Sequence, residues 1–347
     1  MRTPRISICL PSLNMRPFLE ERMASILGQT LTDWELIVCD SGSDDGSREF
    51  FASFEGDPRV RVLDVPREGL YAGWNECLRR VRGELIYIAP ADDSCEPELL
   101  ECLATLLREN ADADLAVCRY RRIDERGREL EDFTNPDLLR FLGPWAEQRQ
   151  RRNRFAELLI GLRLGFQWNT LPAVLFRKRL LDAAGFFRTD CRSYADVAWR
   201  LRAILHSDLI YEPRRLAAWR WHAGQATASL PSNRHELVYR LTRETLLRCA
   251  GELPASWRRQ RGWLDRLLLH RRHEYLVHDH LNRTSLRRCP RRFLRGVRRC
   301  AVKEPRYLLR RLLTACTWNV PEYADPVESL RVLMEDWAVE WPPSPLA

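Results

Sequence analysis

Short β-type segments alternate with helical segments through the first third of the chain, and this alternation constrains the fold more than any other feature. The predicted strands are 5–10, 34–39, 60–65, 84–89 and 113–120, and the predicted helices lie near 18–28, 46–54, 71–81 and 96–109. Pro97 falls just inside the fourth helix, where its missing N–H is not needed. Strands and helices that alternate with short connections form a mostly parallel sheet with helices on both faces. The sequence therefore predicts an α/β fold.

The rest of the chain continues this pattern and then becomes helical. Residues 121–154 are polar and are expected to form loops. Further elements are predicted as strands at 171–176, 209–212 and 216–222 and as helices at 178–184 and 194–206. From about Asn233 leucines recur every three or four residues among many arginines, and residues 341–345 look like a loose tail. We therefore expect one domain over residues 1–230 and a mainly helical, arginine-rich extension over residues 231–347.

The net charge of +8 is concentrated in one segment. Residues 231–312 carry 22 Lys and Arg against 7 Asp and Glu, whereas residues 1–230 carry 33 against 35. Two interpretations remain open: a helical subdomain with a solvated basic face, or helices that adsorb to an anionic membrane surface. Leucines at 267–269, 308–309 and 312–313 would supply the apolar faces. Nucleic acid is disfavoured as a partner because the basic segment contains no recognised reading motif.

Several classes of protein are excluded by what the sequence lacks. No segment approaches the roughly 18 to 20 apolar residues that span a bilayer, and the N-terminus has no secretory signal pattern, so we expect a cytoplasmic protein. The eleven cysteines are scattered without a Cys-x-x-Cys pair, so neither a zinc site nor a redox pair is indicated. Gly-x-x-x-x-Gly-Lys and Gly-x-Gly-x-x-Gly are both missing, which disfavours a P-loop nucleotidase and a nicotinamide dehydrogenase.

Two adjacent carboxylates, Asp92 and Asp93, follow the apolar segment 84–89. Open α/β folds bind ligands at the carboxyl ends of their strands, and paired carboxylates there suit a divalent cation that holds a phosphate. In the competing interpretation Asp93 or Ser94 caps a helix that begins at Glu96. Under that interpretation only Asp92 is left for a metal.

Polar residues also follow the first two predicted strands. Asp40 ends the second strand and enters the turn SGSDDGS, where it would accept hydrogen bonds from a nucleobase or a ribose, or would belong to an ordinary capped turn. Ser12 and Asn14 follow the first strand and would line the same edge or cap their own loop. Both interpretations remain open at this point.

Two later residues complete the set of candidates. Asp196 lies at the start of the predicted helix 194–206, where it would serve as a general base or simply interact favourably with the helix dipole. His222 lies at the end of the predicted strand 216–222 and would contact a diphosphate or a metal, or would be structural.

In combination these segments resemble the family 2 glycosyltransferases of the GT-A fold, over about residues 4–230. The most specific match is SILGQT at 25–30 followed by WELIVCDSGSDDGS at 34–47. The other matching segments are ISICLPSLN at 6–14, EGLYAGWN at 68–75, GELIYIAPADD at 83–93, Ala195-Asp196 with Arg200, and RWH at 220–222. The resemblance rests on the order of these elements rather than on any one of them.

The resemblance implies a role for each candidate. Asp196 would be the catalytic base, Asp92 the metal contact, and Asp40 a contact to the base or ribose. The remaining implied contacts to the nucleotide-sugar are Pro11, Ser12, Asn14, Gly69, Asn75, Asp93 and His222, with His222 also a candidate metal contact. The chain departs from the family pattern at Pro90, which replaces the first aspartate of Asp-x-Asp, at Ser41, and at Ala195, which replaces a usual glutamate.

The implied activity is inverting transfer of a sugar from a nucleotide-sugar donor to the hydroxyl of a glycan or lipid-linked acceptor, with Mg²⁺ or Mn²⁺ as cofactor. Such an enzyme would act in the biosynthesis of cell-surface polysaccharide or lipopolysaccharide. A lipid-linked acceptor would suit a peripheral position on the inner face of the cytoplasmic membrane. The alternative is a non-catalytic nucleotide-sugar-binding or scaffold protein on the same fold.

Overall fold

A single mixed sheet forms the centre of the computed structural model, which describes residues 3–131, 134–225, 233–275, 290–303 and 325–346. Its strands are β1 Ile6–Ser12, β2 Trp34–Asp40, β3 Val60–Asp64, β4 Leu85–Ile88, β5 Ser94–Cys95, β6 Leu115–Ile123, β7 Glu129–Leu130, β8 Gln150–Arg152, β9 Val174–Arg177, β10 Leu209–Arg220 and β11 Ser344–Pro345. The order across the sheet is β11-β8-β10-β6-β9-β4-β1-β2-β3. The pairs β3–β2, β2–β1, β1–β4 and β6–β10 are parallel, whereas β9 is antiparallel to both β4 and β6. The predicted α/β fold with a largely parallel central sheet is confirmed.

Helices connect the strands and continue beyond them. They are α1 Leu19–Leu27, α2 Ser47–Ala52, α3 Leu70–Leu78, α4 Leu99–Glu109, α5 Pro136–Leu142, α6 Arg154–Arg163, α7 Lys178–Ala184, α8 Ala195–His206, α9 Arg234–Arg248, α10 Ala255–Arg259, α11 Trp263–Tyr275, α12 Pro290–Lys303 and α13 Pro326–Asp336. Among the described residues, no helix is both long enough and apolar enough to cross a membrane.

The sheet separates two apolar cores because successive side chains of a strand point to opposite faces. In β2, Leu36 and Val38 belong to one core, whereas Ile37 and Cys39 belong to the other. All four side chains are fully buried. The central strands are therefore apolar on both faces, which explains why they read as continuous apolar runs rather than alternating ones.

The prediction for the start of the fourth helix is wrong. Ser94 and Cys95 form β5, which pairs antiparallel with Ala218 and Ala217 of β10. The backbone N–H of Glu96 then donates to the carbonyl of Leu216, so the chain stays extended to this point. As a result α4 begins only at Leu99, and Pro97 precedes the helix instead of lying inside it.

Three other predictions fail because they missed pairing between distant segments. Residues 121–154 are not only loops: they contain β7, α5 and β8, and β8 joins the main sheet beside β10. The expected loose tail contains β11, which pairs with β8, and its Trp341 ring lies 4.7 Å from the ring of Phe141. The two strands predicted at 209–212 and 216–222 form one strand, β10, which carries register shifts between Glu212 and Ala217.

Helices α9, α10, α11 and α13 contribute buried residues to the core of the chain. Leu267 and Leu268 of α11 are fully buried and belong to the same core as one face of the sheet. The indole N–H of Trp257 donates to the carbonyl of Trp337 over 3.1 Å, which joins α10 to the end of α13. Two of the leucines proposed to face a membrane therefore lie in the protein core, and those at 308–309 and 312–313 lie outside the described residues. The domain boundary at residue 230 stays a prediction.

Candidate active site

The carboxyl ends of β1 and β4 and the first turns of α3 and α8 surround a cleft of about 580 Å³. Residues that line it include Ser12, Gly69, Tyr71, Asp92, Asp196 and Arg200. Pro11 and Asp93 line it as well. The cleft thus lies at the sheet edge where open α/β folds bind their ligands.

Asp92, which lines the cleft, forms a pair with His222. Nε2 of His222 lies 3.0 Å from Oδ2 of Asp92, and the two side chains are 7% and 18% exposed. The His222 ring also lies 4.8 Å from the ring of Phe18, and its backbone N–H donates to Oε1 of Gln225 over 3.2 Å. Contacts on several sides therefore hold the imidazole against the carboxylate.

Arg220 fixes the loop that carries both aspartates. Its Nε donates to the carbonyl of Asp92 over 2.7 Å, and its backbone N–H donates to Oδ1 of Asp93 over 2.8 Å. The guanidinium is 1% exposed and also pairs with Glu21 and donates to the carbonyl of Asp124. In the sequence Arg220 stands out only as part of the segment RWH. Its position two residues before His222 was the one signal that it lies near the candidate site.

Asp93 does not cap a helix, and neither does Ser94, so that interpretation is wrong. α4 begins at Leu99 without any side-chain cap, and Ser94 belongs to β5. Burial and then the neighbouring charge of Asp92 raise the pKa of Asp93 well above its ordinary value. Asp93 is therefore a buried support of the loop, whereas Asp92 presents its carboxylate to the cleft.

Asp196 lies at the second position of α8 and is held by two donors. The hydroxyl of Tyr71 donates to Oδ1 over 3.1 Å, and Nη2 of Arg200 donates to Oδ2 over 2.9 Å. Burial and then the charge of Asp196 raise the pKa of Tyr71 above its ordinary value, so the phenol stays a neutral donor. The Asp196 side chain is 23% exposed and remains accessible from the cleft.

Sequence reasoning missed Tyr71 as a partner of Asp196. The two residues are 125 positions apart, and no local pattern connects them. The contact between Arg200 and Asp196 was also missed. Arg200 lies four residues after Asp196 on a helix, which is the spacing of neighbouring side chains.

Ser12 and Gly69, which are expected to contact the nucleotide-sugar, have the features of ligand contacts. The hydroxyl of Ser12 is buried and has no hydrogen-bond partner among the described residues. Gly69 adopts a φ of 101°, which favours glycine, and its backbone lines the cleft at the start of α3. A donor group that approaches this wall would meet a free hydroxyl and an unobstructed backbone.

Asp40, Asn14 and Asn75 are engaged by the protein itself. Both carboxylate oxygens of Asp40 accept from Ser43, over 2.9 Å from its N–H and 2.6 Å from its hydroxyl. Oδ1 of Asn14 accepts from the N–H of Asp44 over 3.0 Å. The Asn75 amide bonds the backbone of Phe187 through both of its polar atoms, at 2.8 and 3.0 Å. These contacts hold the loops around the cleft, and direct contact of the three residues with a nucleotide stays a prediction.

Asp92 and His222 offer one carboxylate and one imidazole to a cation. Within the described ranges, no group of three His, Cys, Asp or Glu side chains could hold a metal ion. Mg²⁺ and related ions commonly take one or two carboxylates and complete their shell with substrate phosphates and water. The residues therefore fit a cation that is held largely by its substrate.

The family model described as Glycosyl transferase family 2 matches residues 7–169. This range includes the strands β1, β2 and β4, whose carboxyl ends lie at the cleft. The chain belongs to this family. Together with the fold, this match confirms the resemblance inferred from the sequence motifs.

Two relatives show how far the similarity in sequence extends. The chain is 30% identical over 258 residues to the uncharacterized protein MT1568 of Mycobacterium tuberculosis, covering 68% of this chain and 73% of the relative. It is 30% identical over 135 residues to the chondroitin synthase of Escherichia coli, covering 39% of this chain but only 20% of that protein.

Two solved structures are similar in fold. S. aureus TarS 1–349 in complex with UDP-GlcNAc superposes with a TM-score of 0.65 at 17% identity, covering 96% of this chain and 91% of TarS. The mannosyltransferase PcManGT of Pyrobaculum calidifontis in complex with GDP-Man and Mn²⁺ gives a TM-score of 0.50 at 16% identity, covering 98% of this chain and 89% of PcManGT. At such identities the likeness establishes the GT-A-like fold, which extends here beyond the residues that the family model matches.

Proposed function

We propose that this family 2 glycosyltransferase transfers a sugar with inversion from a nucleoside-diphosphate donor to an acceptor hydroxyl. One observation carries the proposal: Asp196, held by two donors, lines the same cleft as Asp92 with its His222 partner. A base for the acceptor and an anchor for the departing diphosphate thus face a common space.

In the proposed reaction Asp196 takes the proton of the acceptor hydroxyl, whose oxygen attacks the anomeric carbon. The bond from that carbon to the diphosphate oxygen breaks, and the nucleoside diphosphate leaves with the bonding electrons. Tyr71 and Arg200 orient the carboxylate of Asp196 through their hydrogen bonds, and the carboxylate stays accessible to the acceptor from the cleft.

Asp92 and His222 would hold a divalent cation together with the donor diphosphate. When bound, such a cation supplies positive charge for the negative charge that develops on the leaving group. Pro90 leaves the protein with one carboxylate fewer at this position than the family pattern implies. The Mn²⁺ in the PcManGT structure supports the proposal of a cation at this edge.

The donor is proposed to be a nucleotide-sugar because the fold neighbours were solved with UDP-GlcNAc and GDP-Man. Its nucleoside would lie along Pro11, Ser12 and Gly69, with Asp40 as the proposed contact to the base or ribose. The relation to chondroitin synthase supports a role in the synthesis of a polysaccharide, although the match covers a fifth of that protein.

The test is an assay of transfer and of donor hydrolysis across a panel of UDP-, GDP- and dTDP-sugars, with Asp196→Asn beside the unaltered protein. We expect transfer to be abolished in this variant while donor binding is kept. Asp190→Asn is a matched control, because the carboxylate of Asp190 is exposed and pairs with Arg188 outside the cleft. Near-normal turnover by Asp196→Asn would reject the assignment of the base.

A non-catalytic nucleotide-sugar-binding protein is the second candidate function, favoured by Pro90 and Ala195 in place of acidic family residues. It predicts that a donor of the panel binds but is neither transferred nor hydrolysed at any concentration of Mg²⁺ or Mn²⁺. The same assay therefore separates the two functions.

Helix α12 supports a further proposal, that the enzyme works at an anionic membrane surface on the cytoplasmic side. Its 14 residues contain five arginines and one lysine but no acidic residue. Leu294 and Val302 are 63% and 77% exposed, so apolar side chains face outward beside the basic ones. Basic amphipathic helices of this kind adsorb to anionic headgroups.

Flotation of the full-length protein with vesicles of phosphatidylglycerol and phosphatidylcholine tests this role. We expect binding to the mixed vesicles and none to pure phosphatidylcholine. Arg291, Arg295 and Arg298 are all exposed, and the triple variant in which each is replaced by Gln is expected to lose flotation. Flotation that persists in this triple variant would reject α12 as the membrane contact.

A further inference from the structure

A second, smaller cavity of about 270 Å³ adjoins the cleft, and we call it the side pocket. Asn169, Val197 and Arg200 line both cavities, so the side pocket opens beside the proposed base. We propose that the side pocket binds the acceptor sugar through an anionic group, a carboxylate or a phosphate. The inference rests on the proposed function, because it assigns the acceptor of the same reaction.

Arg200 is the residue that points to an anion. Its side chain is 8% exposed, and only Nη2 has a hydrogen-bond partner among the described residues, the carboxylate of Asp196. Nε and Nη1 are buried and unsatisfied. Unsatisfied donors on a buried guanidinium are costly, and an anionic acceptor group would supply the strong, charge-assisted hydrogen bonds they lack.

The other walls of the side pocket suit an anionic sugar. Its described lining contains a second arginine, Arg271, but no Asp or Glu. Nη2 of Arg271 donates to the carbonyl of Gly161 over 2.7 Å, which holds its charge at the pocket. Phe166 contributes an apolar surface, with the Arg200 guanidinium 5.8 Å from its ring centre. Positive charge and an aromatic surface, with no acidic residue in the described lining, together match a carbohydrate that carries one negative charge.

Size and position restrict the occupant further. The volume of about 270 Å³ lies below the range of roughly 300–1,000 Å³ that is typical for drug-sized ligands, so one sugar unit fits better than a longer segment. An anionic group on Arg200 would bring the hydroxyls of the same sugar beside Asp196, since the two side chains are hydrogen-bonded to each other. The pocket thus orients an acceptor for the proposed base.

The extension after residue 230 forms part of this pocket. Val238 and Thr242 of α9 and Arg271 of α11 all line it. The helical extension would therefore select the acceptor in addition to packing on the sheet, and its basic residues would contribute through Arg271.

Binding of three small probes to the full-length protein tests the proposal. The probes are methyl β-D-glucuronide, glucose 6-phosphate and the neutral methyl β-D-glucoside, measured by saturation-transfer NMR and calorimetric titration. We expect at least one anionic probe to bind about tenfold more tightly than the neutral one, and the comparison of the two anions identifies carboxylate or phosphate as the group recognised. Equal or absent binding of all three probes would overturn the proposal.

A charge placed on the wall formed by α9 gives a matched pair of variants. Val238→Glu introduces a carboxylate into the pocket and is expected to remove the preference for the anionic probe, whereas Val238→Gln adds a neutral side chain of the same shape and should retain it. Donor binding should be unchanged in both, since Val238 does not line the cleft. A preference for the anionic probe that survives in Val238→Glu would overturn the location.

Donor titration on the same samples separates this inference from the proposed function. If no nucleotide-sugar binds while the anionic sugars do, the proposed function fails and the pocket assignment stands. If nucleotide-sugars bind and turn over while the anionic probes show no preference, the proposed function stands and the inference fails.

Discussion

Nε2 of His222 lies 3.0 Å from Oδ2 of Asp92, although 130 residues separate the two in the chain. The contact exists because β5, which directly follows Asp93, pairs with β10, which ends two residues before His222. Arg220 strengthens the same junction through the carbonyl of Asp92 and the carboxylate of Asp93. One strand pairing therefore sets the geometry of the proposed cation site.

Removal of the imidazole should weaken the binding of the cation rather than the fold. His222→Gln is expected to reduce the affinity for Mn²⁺ in the presence of a nucleoside diphosphate about 10- to 100-fold, the usual effect of losing a residue that ligates a metal ion or orients its ligand. Calorimetric titration of Mn²⁺ measures this directly. The control is His206→Gln, because His206 lies at the opposite end of α8 from Asp196. Equal Mn²⁺ affinity in the two variants would remove His222 from the cation site.

Loss of the Tyr71 hydroxyl should affect turnover more than donor affinity. Tyr71→Phe deletes one of the two donors to Asp196 and leaves the aromatic contacts with Trp74 and Phe187 in place. We expect kcat to fall about tenfold, which corresponds to roughly 1.4 kcal/mol, with little change in the KM for the donor. Steady-state kinetics with the donor found in the panel would measure both constants. A change confined to the donor KM would place Tyr71 in substrate binding instead.

The Glu35 carboxylate should make the fold sensitive to acid. Burial opposes its ionisation, but hydrogen bonds from Arg82 and Ser7 and the charge of Arg61 outweigh this effect, so the pKa of Glu35 lies below its ordinary value of 4.5. A lowered pKa stabilises the folded state above pH 4.5, and this contribution is lost as the pH falls through the folded value.

Urea unfolding between pH 7 and pH 3 tests this prediction. Glu35→Gln should be less stable than the unaltered protein at pH 7, and the difference between the two should shrink as the medium is acidified below about pH 4.5. A difference that stays constant with pH would mean that the charge of Glu35 contributes nothing.

Gly83 lies where two backbone segments approach too closely for any side chain. A Cβ at this position would meet the N atom of Ser7 at 2.7 Å and the carbonyl carbon of Ile6 at 2.8 Å. Gly83→Ala is therefore expected to destabilise the protein by about 1–3 kcal/mol, because β1 would have to move. Gly56→Ala is the control, since a Cβ at Gly56 meets nothing within 4 Å. Thermal or urea unfolding of the two variants gives the comparison, and similar losses in both would argue against the clash.

Local patterns predicted the βα elements of the first third to within a few residues. The strand at Trp34–Asp40 and the helix at Lys178–Ala184 were identified because their apolar residues follow the period of the element and their ends carry turn residues. β8 and β11 were missed because they are three and two residues long and acquire their structure only from pairing with another strand. Segments this short have no periodicity of their own.

The amino-acid sequence by itself determined the family, the α/β character and the positions of the acidic residues at the strand ends, because burial period and motif order are written along the chain. The tertiary structure decided which partners these residues have: Tyr71 and Arg200 for Asp196, His222 for Asp92, and Arg220 for Asp93. The tertiary structure also shows that Asp40 and Asn75 are hydrogen-bonded to backbone groups of the protein, and that α9 and α11 line the side pocket. Most of these contacts join segments many residues apart, and their geometry depends on strand register and helix packing, which no local pattern of residues specifies.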